Sequence, residues 1–291
     1  MKETSSMIKR LFLFAGYHPN SIIDDALVYY VRSLSEFGDI VVCMDNDTSE
    51  SELSKIKPFT THAFGIRHGE YDFGSYKRAY LWALENLTLS DYDFIYIVND
   101  SVYGPLYPLG RYFDAMERMG HNAFGMVKKS HKKRPHIQSW FIGLTPDIFL
   151  TQWFNIFMQN ITKLQNKGQI TYLYENGLTK LITKHGHTWD CLYTVKKHGV
   201  YNNIKKLYCS GMPFMKKVAF TRKHGGLGAQ VLFVLNKLDS NIRQIILQSA
   251  YKQYGETEAL FDNFMRLPNM SSGKVSKGLI RRRKSEWILF T

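Results

Sequence analysis

Residues 91–108 read DYDFIYIVNDSVYGPLYP, and their reading decides the fold. The run Phe94-Ile95-Tyr96-Ile97-Val98 is apolar throughout, stops abruptly at Asn99-Asp100-Ser101, and breaks at Gly104-Pro105. A short apolar run bounded by turn residues reads as a buried strand. In open α/β sheets ligands bind outside the carboxyl ends of the strands. Asp100 is therefore expected to face a ligand, and a carboxylate there suits a divalent cation, Mg²⁺ or Mn²⁺, bridging to a diphosphate. The bland alternative is a turn aspartate bonded to its own backbone.

Working upstream, Leu11 to Phe14 reads as a first strand and Asp25 to Phe37 as a helix, with Leu27, Val28, Val31, Leu34 and Phe37 at helical spacing. Ile40 to Met44 is a second strand, Ser51 to Ile56 a short helix stopped by Pro58, and Thr61 to Ile66 a third strand. A further helix runs to about Leu87. This alternation predicts an α/β fold with a mostly parallel sheet flanked by helices. Right-handed crossovers then bring Tyr17, Asp45, Asp47, Arg67 and Asp100 to one edge. Gly69 and Gly74 allow close backbone approach, and the helix start beyond Gly74 is expected to favour an anion. Asp72 reads either as part of that site or as a helix cap.

Downstream the pattern loosens. Leu109 to Met119 reads as a helix, Ala123 to Val127 as a strand, Lys128 to Arg134 as a basic loop, and Ile137 to Leu144 as another strand. A helix is expected from Thr145 to about Ile161, another over Glu175 to Lys184, and an edge strand over Thr188 to Val195. Beyond residue 217 the pattern is helical, over Asn241–Tyr254 and Glu256–Leu267, before a tail carrying Lys274, Lys277, Arg281, Arg282, Arg283 and Lys284. The expected units are 1–217 and a helical extension, 218–291.

The 38 lysines and arginines against 25 acids leave a net charge of +13, which favours anionic partners. Three scattered cysteines, Cys43, Cys191 and Cys209, make neither a disulfide framework nor a zinc spacing and point to a reducing, cytoplasmic setting. No stretch approaches the roughly 20 apolar residues of a membrane span. A nucleic-acid reader needs basic residues interleaved with stacking aromatics on one face, and the sequence has no such motif. The expectation is no nucleic-acid partner.

Four blocks together carry a resemblance: YDFGSYKRA (Tyr71 to Ala79), NDSVYGPLYP (Asn99 to Pro108), His136-Ile137-Gln138-Ser139-Trp140-Phe141, and Tyr174-Glu175-Asn176-Gly177-Leu178-Thr179. In order and spacing the chain resembles the rhamnan synthesis protein F family over roughly residues 9–215. The resemblance implies a bacterial glycosyltransferase of GT-A-like fold in surface polysaccharide assembly, with rhamnose from a dTDP-linked donor as its associated sugar. Asn99-Asp100-Ser101 stands where related enzymes carry an acidic metal and nucleotide-sugar motif, here with Asn and Ser at the outer positions. The expected donor-site residues are Tyr17, Asp45, Arg67, Asp72, Asn99, Asp100, Ser101, His136 and Gln138, with Asp100 as metal ligand.

Inverting transfer needs a carboxylate to deprotonate the acceptor hydroxyl, and Glu175 is the expected base; retaining transfer is the alternative, since nothing in the sequence fixes the stereochemistry. Its alternative is a first-turn glutamate favoured by the helix dipole. The basic tail fits an anionic membrane surface. The expected setting is peripheral, at the inner face of the cytoplasmic membrane, with a lipid-linked saccharide as acceptor. A sugar-nucleotide-binding scaffold without catalysis is the competing reading, and a nucleic-acid-binding protein the more distant one.

Overall fold

The computed structural model of the chain describes residues 8–222 and 225–255. The expected helix Glu256–Leu267 and the basic tail lie outside the described residues. The elements in order are β1 (Arg10–Gly16), α1 (Asp25–Ser35), β2 (Asp39–Met44), α2 (Glu50–Leu53), β3 (His62–Gly65), α3 (Tyr71–Asn86), β4 (Phe94–Asn99), β5 (Val102–Tyr103) and α4 (Gly110–Glu117). They continue with β6 (Ala123–Ser130), β7 (His136–Ile137), β8 (Phe141–Leu144), α5 (Pro146–Phe149), α6 (Gln152–Gln159), α7 (Lys167–Ile170), α8 (Asn176–Lys184) and β9 (Trp189–Lys196). Last come α9 (Gly199–Asn202), α10 (Ile204–Cys209), β10 (Met215–Lys216), α11 (Leu227–Leu235) and α12 (Ser240–Tyr254).

The main sheet runs β3-β2-β1-β4-β8-β6, with β7 and β9 both paired to β6. Four of its seven strand pairings are parallel, including the whole β3-β2-β1-β4 half. The mostly parallel α/β sheet flanked by helices is thus present. Helix α1 starts cleanly because Asp24 caps it, accepting from the Leu27 N–H.

Alternate residues of each strand feed opposite faces. Phe12, Phe14 and Tyr96 pack with Tyr30 of α1 and Phe113 of α4 on one side. Leu13 and Ile97 pack with Tyr76 and Tyr80 of α3 and Phe154 of α6 on the other. Each fully buried aromatic contributes about 1.5–3 kcal/mol. A third cluster joins Ala26 of α1 and Tyr103 of β5 to Leu227, Val231, Ile246 and Ala250. The described part of the helical extension therefore shares a core with the sheet unit.

Near the amino ends of β1 and β4 lies a buried ion pair. Arg10 Nε and Nη2 donate to the two Glu117 carboxylate oxygens at 2.6 and 2.7 Å. The Tyr96 hydroxyl donates to Glu117 Oε1 at 2.6 Å, and Arg10 Nη1 donates to the Phe37 carbonyl at 3.4 Å.

Several boundaries differ from expectation. The strand expected over Ile137–Leu144 is two: His136–Ile137 pairs with Lys128–Lys129, while Phe141–Leu144 pairs with β4. Residues 138–140 lie between them outside the strand ladders, with the Gln138 N–H donating to the Val127 carbonyl at 2.9 Å and the Trp140 carbonyl accepting from the Asn99 N–H at 3.2 Å. The helix expected over Thr145–Ile161 breaks at Leu150, and Thr151 caps α6 by accepting from the Phe154 N–H. Lys128 to Ser130 belong to β6 rather than to a loop. The small sheet of β5 and β10 has no counterpart in the sequence reading.

Candidate functional site

The carboxyl ends of β1, β2 and β4 meet as the alternation predicts. The Asp100 N–H donates to the Ala15 carbonyl at 3.1 Å, and the Asp45 N–H to the Gly16 carbonyl at 2.8 Å. Above this edge opens a cleft of about 950 Å³. Tyr17, Asp45, Asp72, Asn99, Asp100, Ser101, Gln138 and Glu175 all line it.

Asp45 holds the loop that enters α3: its Oδ1 accepts from the backbone N–H groups of His68 and Gly69 at 2.8 and 2.9 Å. Tyr71 opens α3 with φ 58°, a left-handed conformation costly for a bulky residue. The helix begins there, three residues before Gly74, so Gly74 is inside it and not at an anion-binding start. Glycine is required at 74 for packing. A Cβ there would lie 2.3 Å from Glu70 Cβ and 2.7 Å from the His68 ring.

Asn99, Asp100 and Ser101 form the floor. Buried Asn99 donates through Nδ2 to Asp72 Oδ2 at 2.9 Å. Its Oδ1 accepts from the Ser101 N–H at 3.1 Å and the Ser101 hydroxyl at 2.6 Å. Asp100 Oδ2 accepts from the Tyr17 N–H at 3.3 Å. Two lysines come from far along the chain. β10 pairs antiparallel with β5, Lys216 opposite Val102, and the Lys217 N–H donates to the Ser101 carbonyl at 3.0 Å. Lys216 Nζ then donates to Ser101 Oγ at 2.7 Å, and Lys217 Nζ to Asp100 Oδ2 at 3.5 Å.

The floor is electrostatically tuned. Burial pushes the Lys216 ammonium down to about 7, against the pull of Asp72 and Glu175. Burial, and then the neighbouring Asp100 charge, push the Asp72 carboxyl up to about 6. Among the lining residues, six lysines and arginines outnumber four carboxylates. The cleft therefore suits an anion.

Glu175 stands on another wall, at the end of a π-helical turn, Thr171–Glu175, that runs into α8. Such turns occur frequently at functional sites. Glu175 is therefore preceded by helical backbone, which removes the expected first-turn position. Its Oε2 accepts from the Ser139 N–H at 2.9 Å and the Ser139 hydroxyl at 2.7 Å. Its Oε1 lies 3.2 Å from His136 Nε2. Burial alone would raise its pKa, but the bonds from His136 and Ser139 outweigh that and hold it below the usual carboxylate range.

Two expected donor-site residues do not line the cleft. Arg67 sits outside it, exposed and paired with Asp47 at 3.1 Å. His136 lies behind Glu175, buried. Gln138 reaches the lining, and its Oε1 accepts from Trp140 Nε1 at 3.0 Å. The sequence reading missed Lys216, Lys217, Ser139 and Trp140 as site residues, with Gln253 and Tyr254 of α12. A signal existed for the lysines: Lys216-Lys217 interrupts the apolar run Met212 to Phe220.

A divalent cation fits this floor poorly. Mg²⁺ at a diphosphate needs one or two unencumbered protein carboxylates, water and phosphate oxygens completing its shell. Asp100 Oδ2 already faces the Lys217 ammonium and Ser101 Oγ the Lys216 ammonium. Among the described residues no three His, Cys, Asp or Glu side chains are grouped so as to hold a metal.

Fold and site together define an α/β protein with an anion-favouring cleft at the carboxyl edge of its parallel strands. The family model of rhamnan synthesis protein F matches residues 40–273, and the chain belongs to that family. The match runs past residue 217 and takes in α12, whose Gln253 and Tyr254 line the cleft. No curated protein matches the chain. Among solved structures, the mannosyltransferase Ktr4p from S. cerevisiae is similar with a TM-score of 0.33 at 11% identity, over 51% of this chain and 59% of that one. Core-mannan synthase A from Aspergillus fumigatus, in its Mn/GDP form, is similar with a TM-score of 0.32 at 10% identity, over 54% of this chain and 64% of that one. The chain thus spans about three-fifths of the length of these structures.

Proposed function

We propose that the protein is a glycosyltransferase of GT-A-like fold that uses a nucleoside-diphosphate sugar. The donor is rhamnose on dTDP, and the acceptor a lipid-linked saccharide of bacterial surface polysaccharide synthesis, met at the inner face of the cytoplasmic membrane. No helix among the described residues is long and apolar enough to cross a membrane. The observation that carries the reading is the cleft itself: Lys216 and Lys217 set on the Asn99-Asp100-Ser101 floor, and a separate ionised carboxylate, Glu175, in one cavity.

In this reading the donor diphosphate lies on the floor. Glu175, held by Ser139 and His136, takes the acceptor hydroxyl proton as the anomeric carbon is attacked with inversion. Asp72 is the second candidate base, favoured by its pKa near 6, closer to the operating range. A divalent cation held by Asp100 would be the alternative means of leaving-group stabilisation and would have to displace Lys217 from Oδ2.

The test is release of dTDP from dTDP-rhamnose, with and without a polyprenyl-pyrophosphate-linked saccharide. Glu175→Gln should cut acceptor-dependent release by roughly 10²–10⁴-fold while donor binding survives. Full turnover in that variant, with a rate limb near pH 6 that vanishes in Asp72→Asn, would move the base to Asp72. Binding without any release would make the protein a scaffold.

A further inference from the structure

We propose that Lys216 and Lys217 together take the place of the divalent cation, binding the donor diphosphate and neutralising the charge that develops on it. The inference rests on the reading of the cleft as a nucleotide-sugar site. As the bond from the anomeric carbon to the phosphate oxygen breaks, its electron pair leaves on that oxygen. The acceptor oxygen bonds to the anomeric carbon, and its proton passes to the carboxylate base. The two ammonium groups receive the negative leaving group.

The geometry supports this in three ways. The lysines are held rigidly, because the β5–β10 ladder and the Lys217 N–H bond to the Ser101 carbonyl lock their backbone to the floor. Preorganised charge of this kind needs no rearrangement as the leaving group departs. Both side chains are buried yet line the cleft.

Among the described residues the ammonium groups are also short of partners. Each has three N–H donors. Lys216 meets one oxygen, Ser101 Oγ, and otherwise lies over the Trp140 ring at 4.7 Å. Lys217 meets Asp100 Oδ2 at 3.5 Å and lies over the Tyr103 ring at 5.5 Å. Buried charge with unused donors is costly, and diphosphate oxygens would satisfy it. An anion beside Lys216 also favours its protonated form.

Finally, the floor residues are already committed. Asp100 Oδ2 and Ser101 Oγ each accept from an ammonium group. Asp100 thus becomes a positioning residue for Lys217 rather than a metal ligand, and the Asn and Ser that flank it are explained. Asn99 orders Ser101 and Asp72, and Ser101 receives Lys216.

Titration calorimetry of the full chain with dTDP, UDP and GDP, in EDTA and in Mn²⁺, tests it. At least one nucleoside diphosphate should bind in EDTA with a Kd within about threefold of that in Mn²⁺. Lys217→Met and Lys216→Met should each weaken it roughly tenfold or more, leaving the affinity for the matching nucleoside unchanged. The wild-type EDTA comparison holds even if a lysine variant folds poorly. Binding that requires Mn²⁺ and is abolished by EDTA would overturn the lysine role while preserving the donor site. Binding unmoved in both variants would overturn it too. No binding of any diphosphate in either buffer would refute the donor-site reading itself.

Discussion

Two buried charge clusters sit near opposite ends of β1 and β4, and they are built on opposite terms. At the amino end, Arg10 meets both oxygens of Glu117 and the Phe37 carbonyl, and Tyr96 adds a hydroxyl to Glu117. At the carboxyl end, Lys216 and Lys217 have one oxygen partner each among the described residues. The first cluster uses its polar atoms on itself and secures the packing of α4 on the sheet. The second leaves cationic donors facing a cleft. Buried charge becomes a functional candidate where its partners run short, not merely where it is buried.

The largest effect should come from the satisfied cluster. Glu117→Gln leaves the Arg10 guanidinium buried without its counter-charge and should cost about 3–5 kcal/mol, read from urea denaturation. Nucleoside-diphosphate affinity of the folded variant should not change. A loss of affinity without loss of stability would erase the contrast.

The unsatisfied cluster should behave in the reverse sense. The folded pKa of Lys216 is about 7 against 10.5 for an ordinary lysine, so the unfolded chain holds the proton more tightly. Stability from this group therefore rises as pH climbs from about 7 towards 10.5. Lys216→Met should flatten that slope and leave stability at neutral pH equal or higher. Asp72 has the opposite sign. Its folded pKa, about 6, exceeds the ordinary 3.8, so its contribution is full below the lower value and is lost as pH rises through the higher. Asp72→Asn should remove that fall, measured as denaturation midpoints across the acid range.

The smallest effect is expected outside both clusters. Arg67→Ala removes an exposed pair with Asp47 and should leave stability within ~0.5 kcal/mol and diphosphate affinity unchanged. A clear loss of affinity would bring Arg67 back into the site and widen it beyond the cleft lining.

The parallel half of the sheet was legible because its strands are apolar on both faces: Phe12 and Leu13, or Tyr96 and Ile97, supply opposite cores. The end of each strand was legible too, which is why Tyr17, Asp45 and Asp100 were expected together. Antiparallel segments were harder. Ile137 to Leu144 reads as one strand, yet Gln138, Ser139 and Trp140 line the cleft between two short strands, and only the register with β4 and β6 reveals it. Arg67 follows a strand end like the others, but its long side chain turns to Asp47 on the surface. Lys216 and Lys217 escaped because their partners are remote in sequence, and no local period encodes the pairing of Lys216 with Val102 or the bond from the Lys217 N–H to the Ser101 carbonyl.

That pairing has a consequence for the order of events in the life of the chain. Lys216 reaches Ser101 across 115 residues. The β3-β2-β1-β4 half is complete in sequence long before Lys216 leaves the ribosome, so the hydrophobic scaffold precedes its anion site in synthesis. Contacts of such long range are slow to close, and anything that binds only the closed form adds to its stability. A diphosphate bound by the two lysines would then act as a latch, fastening the late-made β10 segment to a sheet assembled earlier.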